Sequence, residues 1–228
     1  MRDVKEPLTL KEAAPLPRQR TEQLIDAAVR CAEERRWDVL PGTWLETVGG
    51  REVCSCGDAD CARPGAHATT PDWAGLATGS GPAVRRIWTG RPTSSVLLPT
   101  GRSFDALDVT ESAGFLALAR MERLELAVGP VIRTPDRRTL FLVLPGGAAK
   151  LPELVGNLGW DAAAIGLAGR GEGDYVAAPP TRVGGRGAVQ WVRRPAPADH
   201  RLPGAAELVG PLAYACARET ADARGRLS

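Results

Sequence analysis

The stretch "CSCGDADCARPGAH" places Cys54, Cys56, Cys61 and His67 within fourteen residues, at the spacing C-x-C-x4-C-x5-H. Three thiols and one imidazole form a donor set for tetrahedral Zn²⁺. Four protein ligands leave no open coordination position, so the zinc expected here is structural. The loop is rich in Gly and poor in apolar side chains, so a bound ion would supply its order. The first pair is closer than the usual two-residue knuckle, which tightens the geometry. The competing reading is a surface loop with incidental thiols.

A second chemical signal is "SFDALDVTES", Ser103 to Ser112. Residues two apart on a strand share a face, so D-x-D at a strand end aims two carboxylates at one place. Such pairs hold the divalent ions that bridge attacking and leaving oxygens in phosphoryl transfer. Here Asp108 is followed two positions on by Thr110. Asp105 lies three before Asp108 and points to the opposite face, and Glu111 alternates away unless the strand ends there. A lone carboxylate holds Mg²⁺ poorly. Of the acids further on, Glu172 and Asp174 lie in a Gly-rich turn that can reach in. The two histidines, His67 and His200, are placed where no Ser/His/Asp set forms. "GRGEG" (169–173) lacks the full G-x-G-x-x-G and precedes a strand, so it reads as a hairpin turn.

These residues need a scaffold. Residues 1–20 read as a loose lead-in, and residues 21–228 as a single domain without repeats or a splitting linker. Thr21 to Trp37 is a helix with Leu24, Ile25, Ala28 and Cys31 on one face, which makes Cys31 core. "PAVRRIW", 111–125, "KLPELVGNLGW" and 205–222 are the other helices, the last carrying Cys216 on its apolar side. "WDVLPGTWLETV" holds a short strand and a second one. Strands are expected at 94–100 and 103–109, joined as a hairpin by Thr100-Gly101-Arg102. Further strands are "GPVIRT", "RTLFLVLP", "AAIGLAG", "DYVAAPP" and "AVQWVRR". Helices alternating with hairpins indicate an α+β fold, a mixed or antiparallel sheet flanked by helices with an inserted Cys/His loop.

With 43% hydrophobic residues the chain of 228 can bury a core. A net charge of +2 excludes a histone-like binder but allows a local basic face. Only Lys5, Lys11 and Lys150 are lysines; the other basic residues are arginines, suited to phosphate or simply the product of a GC-rich genome. No run of about 18 apolar residues or signal peptide is present, so a cytoplasmic protein without membrane contact is expected, its cysteines thiols or metal ligands.

Three segments in order resemble the primase–polymerase (Prim-Pol) domain at the N-terminus of bifunctional DNA primase/polymerases. They are the Cys loop with the Trp after it, "VLLPTG…FDALDV", and "RGEGDYVAAPPTRVGGRGAVQW", of which "GDYVAAPPTR" is the most specific. The resemblance spans about Glu22 to Arg194. It implies an RRM-like palm with a zinc-binding element and two-metal nucleotidyl transfer. That chemistry needs a carboxylate pair, a third carboxylate and a His near the nucleotide phosphates. By the resemblance the pair falls on Asp108 and Thr110, the third carboxylate near Ala168 and the His near Thr139, so only Asp108 is retained. The expectation is a stand-alone member with a degraded site that binds a nucleotide, a single-stranded nucleic acid or a protein partner. No helicase domain is expected after residue 228. The alternatives are an active primase or polymerase with rearranged ligands, using Mg²⁺ or Mn²⁺, and a pure protein-interaction module. Arg133, Arg137, Arg138, Arg170, Arg182 and Arg186 are the candidates for nucleotide or nucleic-acid contact. The bland reading pairs them with nearby acids. Trp73, Trp88, Trp160 and Trp191 are either stacking platforms or packing.

Overall fold

A computed structural model describes residues 17–196 and 201–225. His200 and most of the expected lead-in lie outside them. The chain runs α1 (Pro17–Arg35), β1 (Leu40–Pro41), β2 (Leu45–Val48), β3 (Arg51–Cys54), α2 (Gly81–Gly90), β4 (Val96–Pro99) and β5 (Asp105–Thr110). It continues through α3 (Glu111–Arg123), β6 (Val131–Arg133), β7 (Arg138–Val143), α4 (Gly147–Gly156), β8 (Ala168–Arg170), β9 (Tyr175–Ala177), β10 (Gln190–Arg193) and α5 (Ala205–Gly225). The fold is α+β, and all strand pairs are antiparallel. α1 begins at Pro17 rather than Thr21, because proline suits a first turn whose N–H groups lack partners. It stops where Arg36 takes φ 54° and the Trp37 N–H turns back to the Cys31 carbonyl at 3.0 Å.

Five strands form the main sheet in the order β10-β6-β7-β5-β8, and three form a second in the order β1-β4-β9. The expected 94–100/103–109 hairpin does not form. β4 is central in the small sheet and β5 lies between β7 and β8, so neither has a free edge for the other. All of "VLLP" and nearly all of "DALDVT" is buried. Thr100 to Phe104 is instead a crossing between sheets, closed by the Gly101 N–H on the Phe104 carbonyl at 2.9 Å. Residues 169–173 are likewise not a hairpin turn: β8 pairs with β5 and β9 with β4, so this segment is the return crossing. The two crossings pack together. Gly101 has φ +97°, and a Cβ there would lie 2.5 Å from the Glu172 Cα. The strand expected over 163–169 shortens to Ala168–Arg170.

The main sheet separates two cores. Leu107, Val109, Phe141 and Val143 face α3, α4 and α5, where Ala117, Met121, Leu151 and Leu208 close the layer. Ala106, Ile132, Leu140 and Leu142 face the small sheet, α1 and α2. Each fully buried Leu or Phe adds about 1.5–3 kcal/mol to stability. Cys31 and Cys216 are buried in these cores as expected. Among the described residues no helix is long and apolar enough to cross a membrane.

Candidate functional site

Strand alternation decides what surrounds Asp108. Ala106 and Asp108 share the face turned toward the small sheet, while Thr110, at the strand end, turns to α3 and α5. Directly opposite Asp108 stand Leu140 on β7 and Ala168 on β8. On the diagonals are Arg138, opposite Thr110, and Arg170, opposite Ala106. Both arginines turn onto the 2%-exposed Asp108. Arg138 Nε donates to Oδ1 at 2.7 Å and its Nη2 to the Asp108 carbonyl at 3.3 Å. Arg170 Nε donates to Oδ2 at 2.9 Å, with Nη2 at 2.8 Å from the same oxygen. The remaining fork of Arg170, Nη1, holds Asp174 at 3.0 Å. Burial works against the charge on Arg170, but the carboxylates of Asp108 and Asp174 outweigh it and hold its pKa above the ordinary value. Two guanidiniums and two carboxylates thus form one neutral cluster across β5, β7, β8 and the return crossing. The donors left over do not fit a divalent ion. Both oxygens of Asp108 already accept from cations, and Ala168 and Leu140 beside it carry no ligand atom.

Thr110 ends β5 and caps α3. Its hydroxyl accepts from the Ala113 N–H at 3.3 Å and donates to the Glu219 carboxylate of α5. Ser112 donates to the other oxygen of Glu219. A carboxylate at the start of α3 also meets the favourable end of the helix dipole. Asp105 points away from the face of Asp108 as expected, to the helical side, where it accepts from the Ala148 N–H at 2.9 Å and caps α4. Glu111 starts α3 and holds Arg133 at 3.0 Å and Arg137 at 3.5 Å; Arg133 also reaches Gln190. Glu172 is exposed.

Thr139, near which the resemblance places the histidine position, does not share the face of Asp108. Thr139 pairs with Val109, so it faces the helices and packs on Gly114, where a Cβ would lie 2.5 Å from the Thr139 Cβ. The β7 side chain that reaches Asp108 is Arg138, one residue earlier.

Cys54, Cys56, Cys61 and His67 form a separate cluster, with ligand atoms all within 4.8 Å of one another. Zn–S bonds of about 2.3 Å and Zn–N bonds of about 2.0 Å set tetrahedral ligands roughly 3.5–3.8 Å apart, so the cluster fits a metal such as zinc with little movement. β2 and β3 pair as a hairpin that delivers Cys54 opposite Leu45. Cys54 Sγ lies 3.4 Å from His67 Nε2 and accepts from the Gly65 N–H at 3.2 Å. Gly65 has φ +74°, and a Cβ there would meet the Leu45 side chain at 2.7 Å. His67 Nδ1 sits 2.8 Å from the Ala68 carbonyl, the outer bond that orients a ligating imidazole. Burial pushes the Cys54 thiol up, but the Cys56 and Gly65 N–H groups and the Thr43 and Cys56 side chains outweigh it, bringing it to about 6. Burial raises Cys61 to about 11; the Arg63 N–H opposes this and the neighbouring Cys54 and Cys56 reinforce it.

The candidate arginines therefore divide. Arg138 and Arg170 bind Asp108, and Arg133 lies at the end of β6 on Glu111. Arg182 and Arg186 instead hold the metal element: Arg182 forks onto Glu52 of β3, and Arg186 Nη2 donates to the Ala62 carbonyl at 2.8 Å. Between them the Gly184 N–H donates to the Pro64 carbonyl at 2.9 Å. Trp88 is core, its Nε1 bound to the Ser94 carbonyl, while Trp73, Trp160 and Trp191 are half-buried. Sequence reasoning missed Glu219 and the convergence of Arg138 and Arg170. The second follows from strand register, which the structure supplies, and nothing in the local sequence signals the first.

No curated protein and no solved structure gives a significant match to the chain. The family profile described as "Bifunctional DNA primase/polymerase, N-terminal" matches residues 28–204, from α1 to the turn before α5. That span includes Asp108, Arg138, Arg170 and the whole Cys/His cluster, and most of the chain: the protein belongs to the Prim-Pol family.

Proposed function

We propose that this Prim-Pol domain does not carry out two-metal nucleotidyl transfer and serves instead as a binding module for a nucleotide or single-stranded nucleic acid, with a structural zinc in its Cys/His element. The observation that carries the reading is the clamp on Asp108. Arg138 and Arg170 saturate the carboxylate, and Thr110 and Ala168 stand where further carboxylates would be needed. Mg²⁺ or Mn²⁺ would have to displace two charge-assisted bonds at 2.7 and 2.9 Å to gain one ligand. Phosphate contact does not need that carboxylate. Arg133 and Arg137 converge on Glu111 beside the site; Arg137, 83% exposed, touches it through Nε alone, so its terminal nitrogens remain open to an anion.

Zinc, when bound, supplies four bonds that tie the β3 end to the loop. The chain's own residues dock that element: Arg182 on Glu52 and the Gly184 N–H on Pro64 join it to the segment between β9 and β10.

Titration with nucleoside triphosphates and a single-stranded oligonucleotide at two salt concentrations tests the reading. Phosphate-driven binding must strengthen as salt falls. Absence of binding at low salt would refute it and leave a protein as the partner.

A further inference from the structure

We infer that the recess between Trp73 and Tyr175, beside the metal element, receives one base of a single-stranded nucleic acid. The inference rests on the nucleic-acid reading above and gives it a place.

The recess has a volume of ≈ 340 Å³ and is lined by Ala68, Thr69, Thr70, Pro71, Trp73 and Tyr175. This is the small end of the range for ligand pockets, roughly 300–1,000 Å³. Trp73 and Tyr175 meet edge to face, with ring centroids 5.3 Å apart and planes at 83°. Both rings are half-buried and border the recess, and a planar base stacks on such a ring whatever its identity. Thr69 and Thr70 are exposed, and neither hydroxyl bonds to another described residue. A threonine hydroxyl both donates and accepts, so it can meet the edge of any base.

The walls are fixed. The Tyr175 hydroxyl accepts from the Ala68 N–H at 3.1 Å, and the Ala68 carbonyl lies 2.8 Å from His67 Nδ1. One side is therefore tied to a residue of the metal cluster. The other follows Asp174 directly, the residue that holds Arg170 at the Asp108 site. The mouth is wide open to solvent. A free nucleotide needs enclosure to be held in so small a space, whereas a strand anchored elsewhere through its phosphates needs only a face for one base.

The test compares wild type, Trp73→Ala, Trp73→Phe and Thr70→Ala. Each is titrated with a short oligothymidylate, the same strand carrying abasic sites, and thymidine triphosphate. Trp73→Ala is expected to weaken binding of the intact strand at least about fivefold, as loss of one stacked base does. It should leave abasic binding and the salt slope unchanged, because phosphate contacts set both. Trp73→Phe should recover most of the loss. Thr70→Ala lies on an exposed loop and should weaken the intact strand roughly two- to threefold without altering the fold. Equal weakening of intact and abasic strands, or no change in any variant, would overturn the recess as a base site while leaving nucleic-acid binding intact. Triphosphate binding as tight as the strand's and equally dependent on Trp73 would overturn the strand as occupant. No wild-type binding to any strand at low salt would overturn both readings.

Discussion

Arg170 holds Asp108 with two nitrogens, Nε at 2.9 Å and Nη2 at 2.8 Å from Oδ2, while Arg138 takes the other oxygen at 2.7 Å. Removing Asp108 leaves two half-buried guanidiniums without their shared counter-charge. Asp108→Ala should therefore cost on the order of 2–4 kcal/mol, less than for a fully buried pair because both arginines keep some solvent. Urea denaturation checks this. A carboxylate kept for metal would behave in the opposite way, since its loss relieves like-charge repulsion.

Thr110 and Glu219 form a second dependency. Thr110→Asp restores the carboxylate spacing on β5 but sets it against Glu219, turning a hydrogen-bonded partner into a like charge. The substitution should destabilise by about 1 kcal/mol or more. Adding Glu219→Gln should recover most of that loss. A double-mutant cycle by thermal or chemical denaturation measures the coupling.

The metal element should come apart before the rest of the fold does. Elemental analysis of purified protein is expected to give one zinc per chain, and Cys61→Ser to lower it. Chelation should open residues 49–66 to limited proteolysis while the far-ultraviolet spectrum of the remainder persists. The Gly184–Pro64 contact stays as a hinge point, since its bond involves no metal ligand.

The cysteines should divide by reactivity. Burial, with Glu34 adding to it and Arg35 opposing it, pushes Cys31 up to about 12. Burial and Glu219, against Arg138, do the same for Cys216. Neither should be alkylated in the native protein, whereas exposed Cys56 should react once metal is removed. Both folded pKa values lie above the unfolded value of 9.0. The stability they contribute is therefore complete below pH 9 and falls as pH rises toward 12, because only the unfolded chain loses protons in that window. Denaturation midpoints across the alkaline range should fall, and the fall should be shallower in Cys216→Ala.

Much of this architecture is written in local pattern. The 3.6-residue spacing of Leu24, Ala28 and Cys31 marks α1, and the adjacent apolar runs "GPVIRT" and "RTLFLVLP" mark the strands of the β6–β7 hairpin. Sheet membership is not local. Nothing in Thr100-Gly101-Arg102 distinguishes a hairpin from a crossing; continuous burial along both "VLLP" and "DALDV" is the clue that each strand is central in its own sheet. The Cys/His spacing predicted a cluster whose ligand atoms do come together. Around Asp108 the residue types were legible and their pairing was not. Placing Arg138 rather than Thr139 on that face needs the Asp108–Leu140 register. Glu219 stands 109 residues from Thr110, a separation that only tertiary packing spans.

Primer synthesis tests the central claim most directly. Wild-type protein, single-stranded template, labelled nucleotides and Mn²⁺ should yield no product, because Asp108 is committed to Arg138 and Arg170. Product that forms with wild type and vanishes in Asp108→Ala would contradict the account.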